Sequence, residues 1–240
     1  MTTKEFSSEF DVLYNNVMSN AAPGLDEYEK SVFLTKAQNE IVKNYFNPKG
    51  NKYQEGFDDN IKRQIDFSTL IKVVEPTPTE EEDYVKMDDR SKLYIMPTDV
   101  LFIINETARL NSDEMSRYLS IIPINYKEYN RLMSKPYKLP LKNQGWRLLL
   151  YNNSGISEII VGEGTLSNYK IRYVKRPKPI VLAALNETYS NISIDGVTSV
   201  TECELDPILH PEILQRAVEL AKTAYLGDLK SNVELGQRSE

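Results

Sequence analysis

Few side chains in this sequence could carry out chemistry, and the first to consider are its single histidine and its single cysteine. His210 precedes Pro211 at the start of a helical pattern, where a histidine caps the helix or fills space more often than it transfers protons. Cys203 has no second cysteine for an internal disulfide, and one thiol with one imidazole cannot make a zinc cluster. We therefore expect no metal site, and we expect Cys203 to act as a small apolar residue.

The glycine-containing and acidic segments also lack the spacing that phosphate or cation binding needs. The GEG run at 162–164 has no third glycine and no helix start after it, so it predicts a hairpin turn. The acidic pairs at 58–59 and 88–89 lack the alternating ligands of a calcium loop. Because no nucleophile or base has converging partners, we expect no catalytic residue and no cofactor.

Cations and aromatic side chains meet in the basic segment of residues 170–179. Tyr169, Ile171 and Tyr173 alternate with polar residues there, as in a half-buried strand with its aromatic rings turned inward. Three interpretations remain open: an edge strand protected by lysines and prolines, a strand that contacts phosphates, and a patch that meets the acidic loop of a neighbouring copy. We favour the edge strand. The candidate interface cations are Lys170, Arg172, Lys175, Arg176 and Lys178.

The acidic segment of residues 75–89 is broken by prolines, which predicts an exposed loop that does not pack. Its acidity is explained by solvation, which we favour over contact with a basic partner. A net charge of −6 argues against a protein whose main task is to grip nucleic acid, but it is compatible with a surface that DNA passes. The candidate interface carboxylates are Glu80, Glu81, Glu82 and Asp83.

Helical patterns at both ends of the chain must position these segments. Over residues 1–70, helices are predicted at 3–19, from a capping box at Asp26 and Glu29 onward, and at 53–67, the last with Phe57, Ile61 and Ile65 on one face. The residues that we expect in the helical core are Phe6, Phe10, Leu13, Val17, Phe33, Ile41, Leu214, Ala217 and Ala221.

The C-terminal part, residues 205–240, is predicted to complete this core. His210 at the cap position and Pro211 at the first helical position predict a helix start, and small alanines would let another helix come close. We expect this helix to pack on the helices of residues 6–17 and 28–45. The polar tail after it is expected to become ordered only on assembly.

Between the helical parts, residues 71–204 are predicted to form a β-rich insertion interrupted by one short helix at 126–134. The predicted strands are 70–74, 93–96, 100–106, 115–123, 146–152, 157–161, 169–175 and 190–194. The fold class is therefore α+β, with a helical bundle from both termini and an antiparallel sheet or sandwich inserted. The absence of a long apolar run or a leader predicts a soluble, unsecreted chain that contacts no membrane.

Four stretches of the sequence resemble a neck protein of tailed bacteriophages. They are EFDVLYNNVMSNAAPGLDEYEKSVFLTKAQNEIVKNYF, NYKEYNRLMSKPYKLPLKNQGWRLL, YKIRYVKRPKPIVL and ELDPILHPEILQRAVELAKTAYL. The resemblance is to the structural ring proteins of crAss-like phages and, more distantly, to tail tubular protein A, the head-to-tail adaptor of short-tailed phages. It covers most of the chain and rests on the overall run of residues, so it identifies a family and not individual sites.

This resemblance implies a virion component made in the bacterial host cytoplasm. It implies a homo-oligomeric ring of about twelve copies beneath the portal, which continues the DNA channel towards the tail and takes part in genome retention and ejection. The implied partners are further copies, the portal protein, adjoining ring proteins and DNA bound without sequence specificity. A non-virion scaffold or binding module is the alternative, and a soluble hydrolase is a further one against which the absence of a catalytic motif argues.

Overall fold

The computed structural model describes residues 1–17, 24–46, 61–80, 86–111, 116–135, 140, 143–149, 155–162, 164–185 and 192–226. Its α-helices are α1 (Thr3–Val17), α2 (Glu27–Phe46), α3 (Ile61–Asp66), α4 (Tyr126–Met133) and α5 (His210–Leu226). Its strands are β1 (Ile71–Val74), β2 (Thr77–Thr79), β3 (Ser91–Ile95), β4 (Val100–Asn111), β5 (Ser116–Pro123), β6 (Gln144–Leu149), β7 (Ile156–Val161) and β8 (Thr165–Lys175). Helices at both ends with a sheet between them confirm the α+β class.

The chain divides into two compact units: a helical unit of residues 1–70 and 177–240, and a β-rich unit of residues 71–176. The predicted insertion, which ran to residue 204, was therefore too long. Residues 177–204 belong with the helices because their backbone is bonded to side chains of α2. Thr35 Oγ1 accepts from the Ile180 N–H at 3.1 Å, and Ser31 Oγ accepts from the Leu182 N–H at 3.0 Å.

The prediction of a strand at 190–194 is wrong for residues 192–194, which the structure describes. Ile194 forms an isolated bridge with Val197 across a tight turn in which Gly196 has a φ of 80°. That left-handed conformation suits glycine, and it reverses the chain before a strand can extend. Residues 190 and 191 lie outside the described part of the chain.

The start of α2 has the predicted capping box. Asp26 Oδ1 accepts from the Glu29 N–H at 2.7 Å, and Glu29 Oε2 accepts from the Asp26 N–H at 3.1 Å. Two backbone donors that have no partner within the helix are thereby satisfied. Lys30 of α2 binds Asp11 of α1 at 2.7 Å. The two helices are thus linked by a largely buried lysine.

The buried stripe of α1 consists of Phe6, Phe10 and Tyr14, each at most 2% exposed. Leu13 was expected in the core, but it is 39% exposed because Tyr14, four residues after Phe10, continues the stripe. Val17 ends α1, and its side chain lies outside what is described.

One further core expectation fails in α2, and the shared apolar face predicted in α3 is exposed where the structure describes it. Phe33 is half-buried, since the buried face of α2 runs through Leu34, one position on, and Ile41. In the six-residue α3, Ile61 and Ile65 are 76% and 60% exposed. The opposite face is anchored instead, because Arg63 donates to the Tyr45 carbonyl at 3.3 Å. The predicted residue Phe57 lies outside the described residues.

Helix α5 packs on both α1 and α2, as expected. Leu214, Ala217 and Ala221 are buried in this contact, and the two alanines leave space for close approach of a neighbouring helix. The start of α5 differs from the prediction. Asp206 caps a short 3-10 turn over Pro207–Leu209, so His210 is already helical and is buried instead of capping.

In the β-rich unit the eight strands form one sheet in the order β1-β8-β4-β5-β6-β7-β3-β2. Neighbours are antiparallel except for the parallel pair β5 and β6, between which α4 lies in the chain. The two edge strands are joined by Glu75 and Pro76 alone, so Val74 and Thr77 lie at most about 11 Å apart. The sheet must therefore curl until its edges approach each other.

Curling gives the sheet an inside and an outside. The buried inner residues form one cluster, listed here: Tyr94, Met96, Ala108, Leu110, Leu119, Ile121, Ile159, Val161, Leu166, Tyr169, Ile171 and Tyr173. Outside, Tyr129 of α4 packs with Trp146, Leu148 and Ile160. Strand β7 is consequently buried on both faces.

The GEG run at 162–164 is not the turn of a hairpin, contrary to prediction. It connects β7 to β8, and these strands are not neighbours in the sheet. Within the run, Gly164 has a φ of 82°, which favours glycine. The prediction failed because a turn between two strands does not reveal whether they pair.

Candidate interaction surface

Strand β8 carries most of the predicted interface cations, and it is an interior strand. It lies between β1 and β4, with Ile71 paired to Val174 on one side and Thr107 paired to Lys170 on the other. The favoured edge-strand interpretation is therefore wrong. The physical reason is that the short strand β1 covers the edge that β8 would otherwise expose.

The alternation predicted for β8 is present. Tyr169, Ile171 and Tyr173 are at most 2% exposed and point into the curled sheet. Lys170 and Arg172, between them, are exposed on the outer face. A period of two thus places Lys170 and Arg172 outside and the two tyrosine rings inside.

Directly opposite residues of neighbouring strands share a face, so the registers of β4 and β5 extend this outer surface. Lys170 lies opposite Thr107, and Arg109 lies opposite Tyr118. The Arg109 guanidinium lies over the Tyr118 ring, 5.8 Å from its centroid, and Tyr118 is 77% exposed. We call the surface formed by Arg109, Tyr118, Lys170 and Arg172 the basic face.

One carboxylate of the same chain already contacts the basic face. Glu75 Oε1 lies 2.9 Å from Lys170 Nζ, and both side chains are about half exposed. The hydrogen bond to Glu75 raises the pKa of Lys170 above its usual value. The first residue of the predicted acidic segment therefore binds the basic strand within one subunit.

The remaining basic candidates do not join this surface. Lys175 is half-buried, and Arg176 follows the last residue of β8. Lys178 belongs to the helical unit, where its Nζ lies 4.0 Å from Glu204. The predicted ten-residue patch is thus divided between two units, because β8 ends at Lys175.

The acidic segment is only partly the exposed loop that was predicted. Residues 77–79 form β2, an edge strand paired with β3 in which Pro78 needs no backbone donor. Asp88 is 9% exposed and binds Arg90 at 2.6 Å, a contact that holds the pKa of Asp88 below its usual value. Glu80 is exposed after β2, whereas Glu81, Glu82 and Asp83 lie outside the described residues.

A buried charged cluster lies on the inner side of the same strands. Arg147 Nε donates to both Glu106 carboxylate oxygens at 2.8 and 2.9 Å, and the Tyr169 hydroxyl donates to Glu106 at 3.0 Å. Burial raises the pKa of Glu106, which the Arg147 charge opposes, and burial next to Glu106 raises the pKa of Tyr169. The cluster links β4, β6 and β8.

Sequence reasoning missed this cluster. Glu106 and Arg147 are 41 positions apart, and nothing local predicts that they face each other. The available signal was a charged residue at an inward position of an otherwise apolar strand, which needs a buried partner. The partner could be found only from the strand order.

The two side chains considered for chemistry, His210 and Cys203, make structural contacts. His210 Nε2 lies 3.1 Å from the Leu205 carbonyl and Nδ1 lies 2.7 Å from the Met1 ammonium, and burial lowers the pKa of His210. Burial also raises the pKa of Cys203 to about 11, which disfavours the reactive thiolate. In the described ranges, no group of three acidic, histidine or cysteine side chains is placed to hold a metal.

The described helices include none with the length and apolar character needed to cross a membrane. The surface that remains is an exposed set of cations with one aromatic ring on a supported sheet. Such a set can bind carboxylates or phosphates through charge and planar contact. It offers contact chemistry and no arrangement for bond cleavage.

Comparison with known proteins gives a consistent set of similarities. Residues 1–233 match the family described as phage tail ring protein 3/4. The chain is similar to Ring protein 4/5 of Bacteroides phage crAss001, with 55% identity over 242 residues that cover 100% of both chains. It is also similar to Ring protein 3 of the same phage, with 32% identity over 235 residues, 95% of this chain and 99% of the relative.

Proposed function

We propose, because the chain belongs to the phage tail ring protein 3/4 family, that it is a structural virion protein that assembles into a ring. The observation that carries the proposal is the match over residues 1–233, together with two ring proteins of one phage as relatives. A match along nearly the whole chain includes both the helical unit and the β-rich unit.

The finer proposal places this ring in the phage neck, between the capsid portal and the tail. There it continues the DNA channel, holds the genome in the capsid and passes it on ejection. We propose about twelve copies in a closed cyclic ring. A net charge of −6 supports the channel role, since few phosphate contacts would retain the moving DNA.

A cyclic ring requires two different and complementary faces on each subunit. We propose that the basic face supplies part of one of them, and that Glu80, Glu81, Glu82 and Asp83 of the acidic segment belong to the other. The chemistry of the described residues supports a contact role, because His210 and Cys203 are engaged in structural contacts. We propose no enzymatic activity, no cofactor and no metal.

The proposed partners beyond further copies are the portal protein, adjoining ring proteins and the DNA in the channel. The proposed location is the virion, after synthesis in the host cytoplasm. A non-virion binding module is the competing proposal. It predicts that the chain is absent from purified particles.

Electron cryomicroscopy of intact particles tests this proposal directly. Density for about twelve copies in one ring below the portal is the expected result. Quantitative mass spectrometry of the same particles should give a copy number consistent with that ring. Absence of the chain from particles, or a monomer that turns over a substrate, would overturn the proposal.

A further inference from the structure

We propose that the basic face binds an acidic surface of the neighbouring copy of this chain. This inference rests on the proposed ring and adds the contact that closes it. The defining residues are Arg109, Tyr118, Lys170 and Arg172 on the outer face of β8, β4 and β5. The occupant is a second copy, and its contributing groups are carboxylates.

Charge is unevenly distributed over the chain. The chain carries 35 acidic and 29 basic side chains, yet the basic face presents three cations beside one contacting carboxylate, Glu75. The rest of the chain is therefore more acidic than its net charge of −6 indicates. Each copy thus offers both a basic surface and a surplus of carboxylates, and complementary charges favour one orientation of approach.

The basic face presents an exposed tyrosine beside an arginine. Tyr118 is 77% exposed, and the Arg109 guanidinium carbon lies over its ring, 5.8 Å from the centroid. Tyrosine and arginine are among the residues that are enriched at the centres of protein interfaces. A covered Tyr118 would remove an exposed aromatic surface from water.

The pairing of Glu75 with Lys170 spans 2.9 Å. It demonstrates that a carboxylate reaches this face in a geometry suited to a lysine. Arg172, opposite Val73 of β1, presents a second cation to the same side. A guanidinium can bind a carboxylate with two parallel hydrogen bonds, so Arg172 is the stronger remaining site for an incoming carboxylate.

The sheet behind the basic face is held in place by buried contacts. Tyr169 and Ile171 flank Lys170 in sequence, and both are buried in the inner cluster. Tyr169 is in turn bonded to Glu106. Side chains on a supported strand lose less conformational freedom on binding than side chains on a loop, which favours a defined contact.

DNA is the competing occupant, and the observations favour it less. Three cations, one of them bound to Glu75, would neutralise very few phosphates. Such a contact would release few counterions and would bind weakly at physiological salt. DNA is therefore an outcome of the test and not the proposal.

The decisive experiment replaces Tyr118 with a photo-crosslinking residue, as Tyr118→p-benzoylphenylalanine, in chain that is assembled into phage particles. Irradiated particles are denatured, and adducts are identified by mass spectrometry. The expected adduct joins position 118 to a peptide of a second copy of this chain. An adduct to DNA or to another protein, or no adduct from incorporated chain, would overturn the inference.

Charge reversal supplies the second measurement. The Arg109→Glu/Arg172→Glu variant is expected to lower incorporation into particles by about tenfold or more, corresponding to a loss of roughly 1.4 kcal/mol at the contact. The matched control, Lys43→Glu/Lys127→Glu, makes the same change in net charge at exposed positions of α2 and α4. It should be incorporated normally.

The two proposals fail in different ways. Wild-type chain missing from particles would overturn the ring function itself. If the wild-type chain and the Arg109→Glu/Arg172→Glu variant are incorporated equally well, only the contact proposed here is overturned. Circular dichroism of the purified variant checks that it is folded before incorporation is scored.

Discussion

The helical unit and the β-rich unit each have a buried core, but the two cores differ. Small apolar side chains lie where the helices of the first unit pack, and an ion pair lies inside the second. Ala217 and Ala221 of α5 are fully buried where it packs on neighbouring helices. Glu106 and Arg147 are about 5% exposed or less within the curled sheet. The helical unit thus depends on small side chains where its helices meet, and the β-rich unit depends on the pairing of two buried charges.

This difference indicates which substitutions each unit tolerates. Close packing of helices tolerates hydrophobic exchange only where volume is kept. A buried ion pair adds little net stability compared with apolar residues, but loss of one partner leaves an uncompensated charge. The β-rich unit should therefore fail most severely when one charge is removed.

The largest expected effect is that of Arg147→Met, which leaves the Glu106 carboxylate buried without its cation. We expect a loss of about 3–5 kcal/mol in the free energy of unfolding. The single tryptophan, Trp146, adjoins Arg147 in β6, so its fluorescence during urea unfolding reports on this unit. The double variant Glu106→Leu/Arg147→Met should recover much of the loss, and no recovery would contradict the pair's role.

The same variant should depend on pH in a definite direction. Burial already raises the pKa of Glu106, and removal of Arg147 raises it further. The folded state then binds a proton that the unfolded state releases, so stability falls as pH rises from about 4.3, the ordinary Glu pKa, towards the raised folded value. The deficit of Arg147→Met relative to wild type should therefore be smallest at acidic pH.

The next effect is that of Ala221→Trp, which forces a large ring into the contact of α5. Overpacking should lower the free energy of unfolding by about 1–3 kcal/mol. Far-ultraviolet circular dichroism during thermal unfolding measures it. Ala224→Trp is the control, because Ala224 is exposed on the same helix. Equal stability of both variants would show that the Ala221 face does not pack as described.

A smaller effect is expected for Asp26→Ala at the start of α2. The Glu29 N–H would lose its side-chain acceptor, at a cost of about 1 kcal/mol. Lys43→Ala, exposed near the other end of α2, serves as the comparison and should be close to neutral. Chemical denaturation curves followed by circular dichroism distinguish the two, and identical midpoints would argue against the capping box as a stabilising element.

The smallest effect on stability is expected for Lys170→Ala. Its pair with Glu75 is exposed, and exposed ion pairs are screened by solvent and offset by side-chain ordering. The thermal unfolding midpoint of the variant should equal that of the wild type at both low and high salt. A clear loss of stability would show that the Lys170–Glu75 contact supports the sheet and is not only a surface feature.

The helical unit was largely predictable because its signals are local. The capping box at Asp26 and Glu29 and the spacing of Phe6 and Phe10 can be read within one or two turns. The errors were also local in origin. Leu13 and Tyr14 are adjacent apolar positions, and only the packing of α1 decides which of them is buried.

The β-rich unit was predictable strand by strand but not as a sheet. The alternation around Ile171 and Tyr173 marked β8 as half-buried. Whether β8 was an edge depended on β1, about a hundred residues earlier. Pairings at such separations leave no trace in local periodicity, so the Glu106–Arg147 pair and the composition of the basic face were beyond reach.

The pairing of β1 with β8 also bears on how the chain folds during synthesis. Ile71 and Val174 lie side by side, so the β-rich unit is one continuous stretch whose two ends meet, and its pairing can be completed once residue 176 has been made. Helices α1 and α2 must wait for α5, which translation at about 5–20 residues per second delays by on the order of ten seconds. The ribosome thus delivers a β-rich unit that can fold first, while the apolar faces of the first two helices stay open until the last helix emerges.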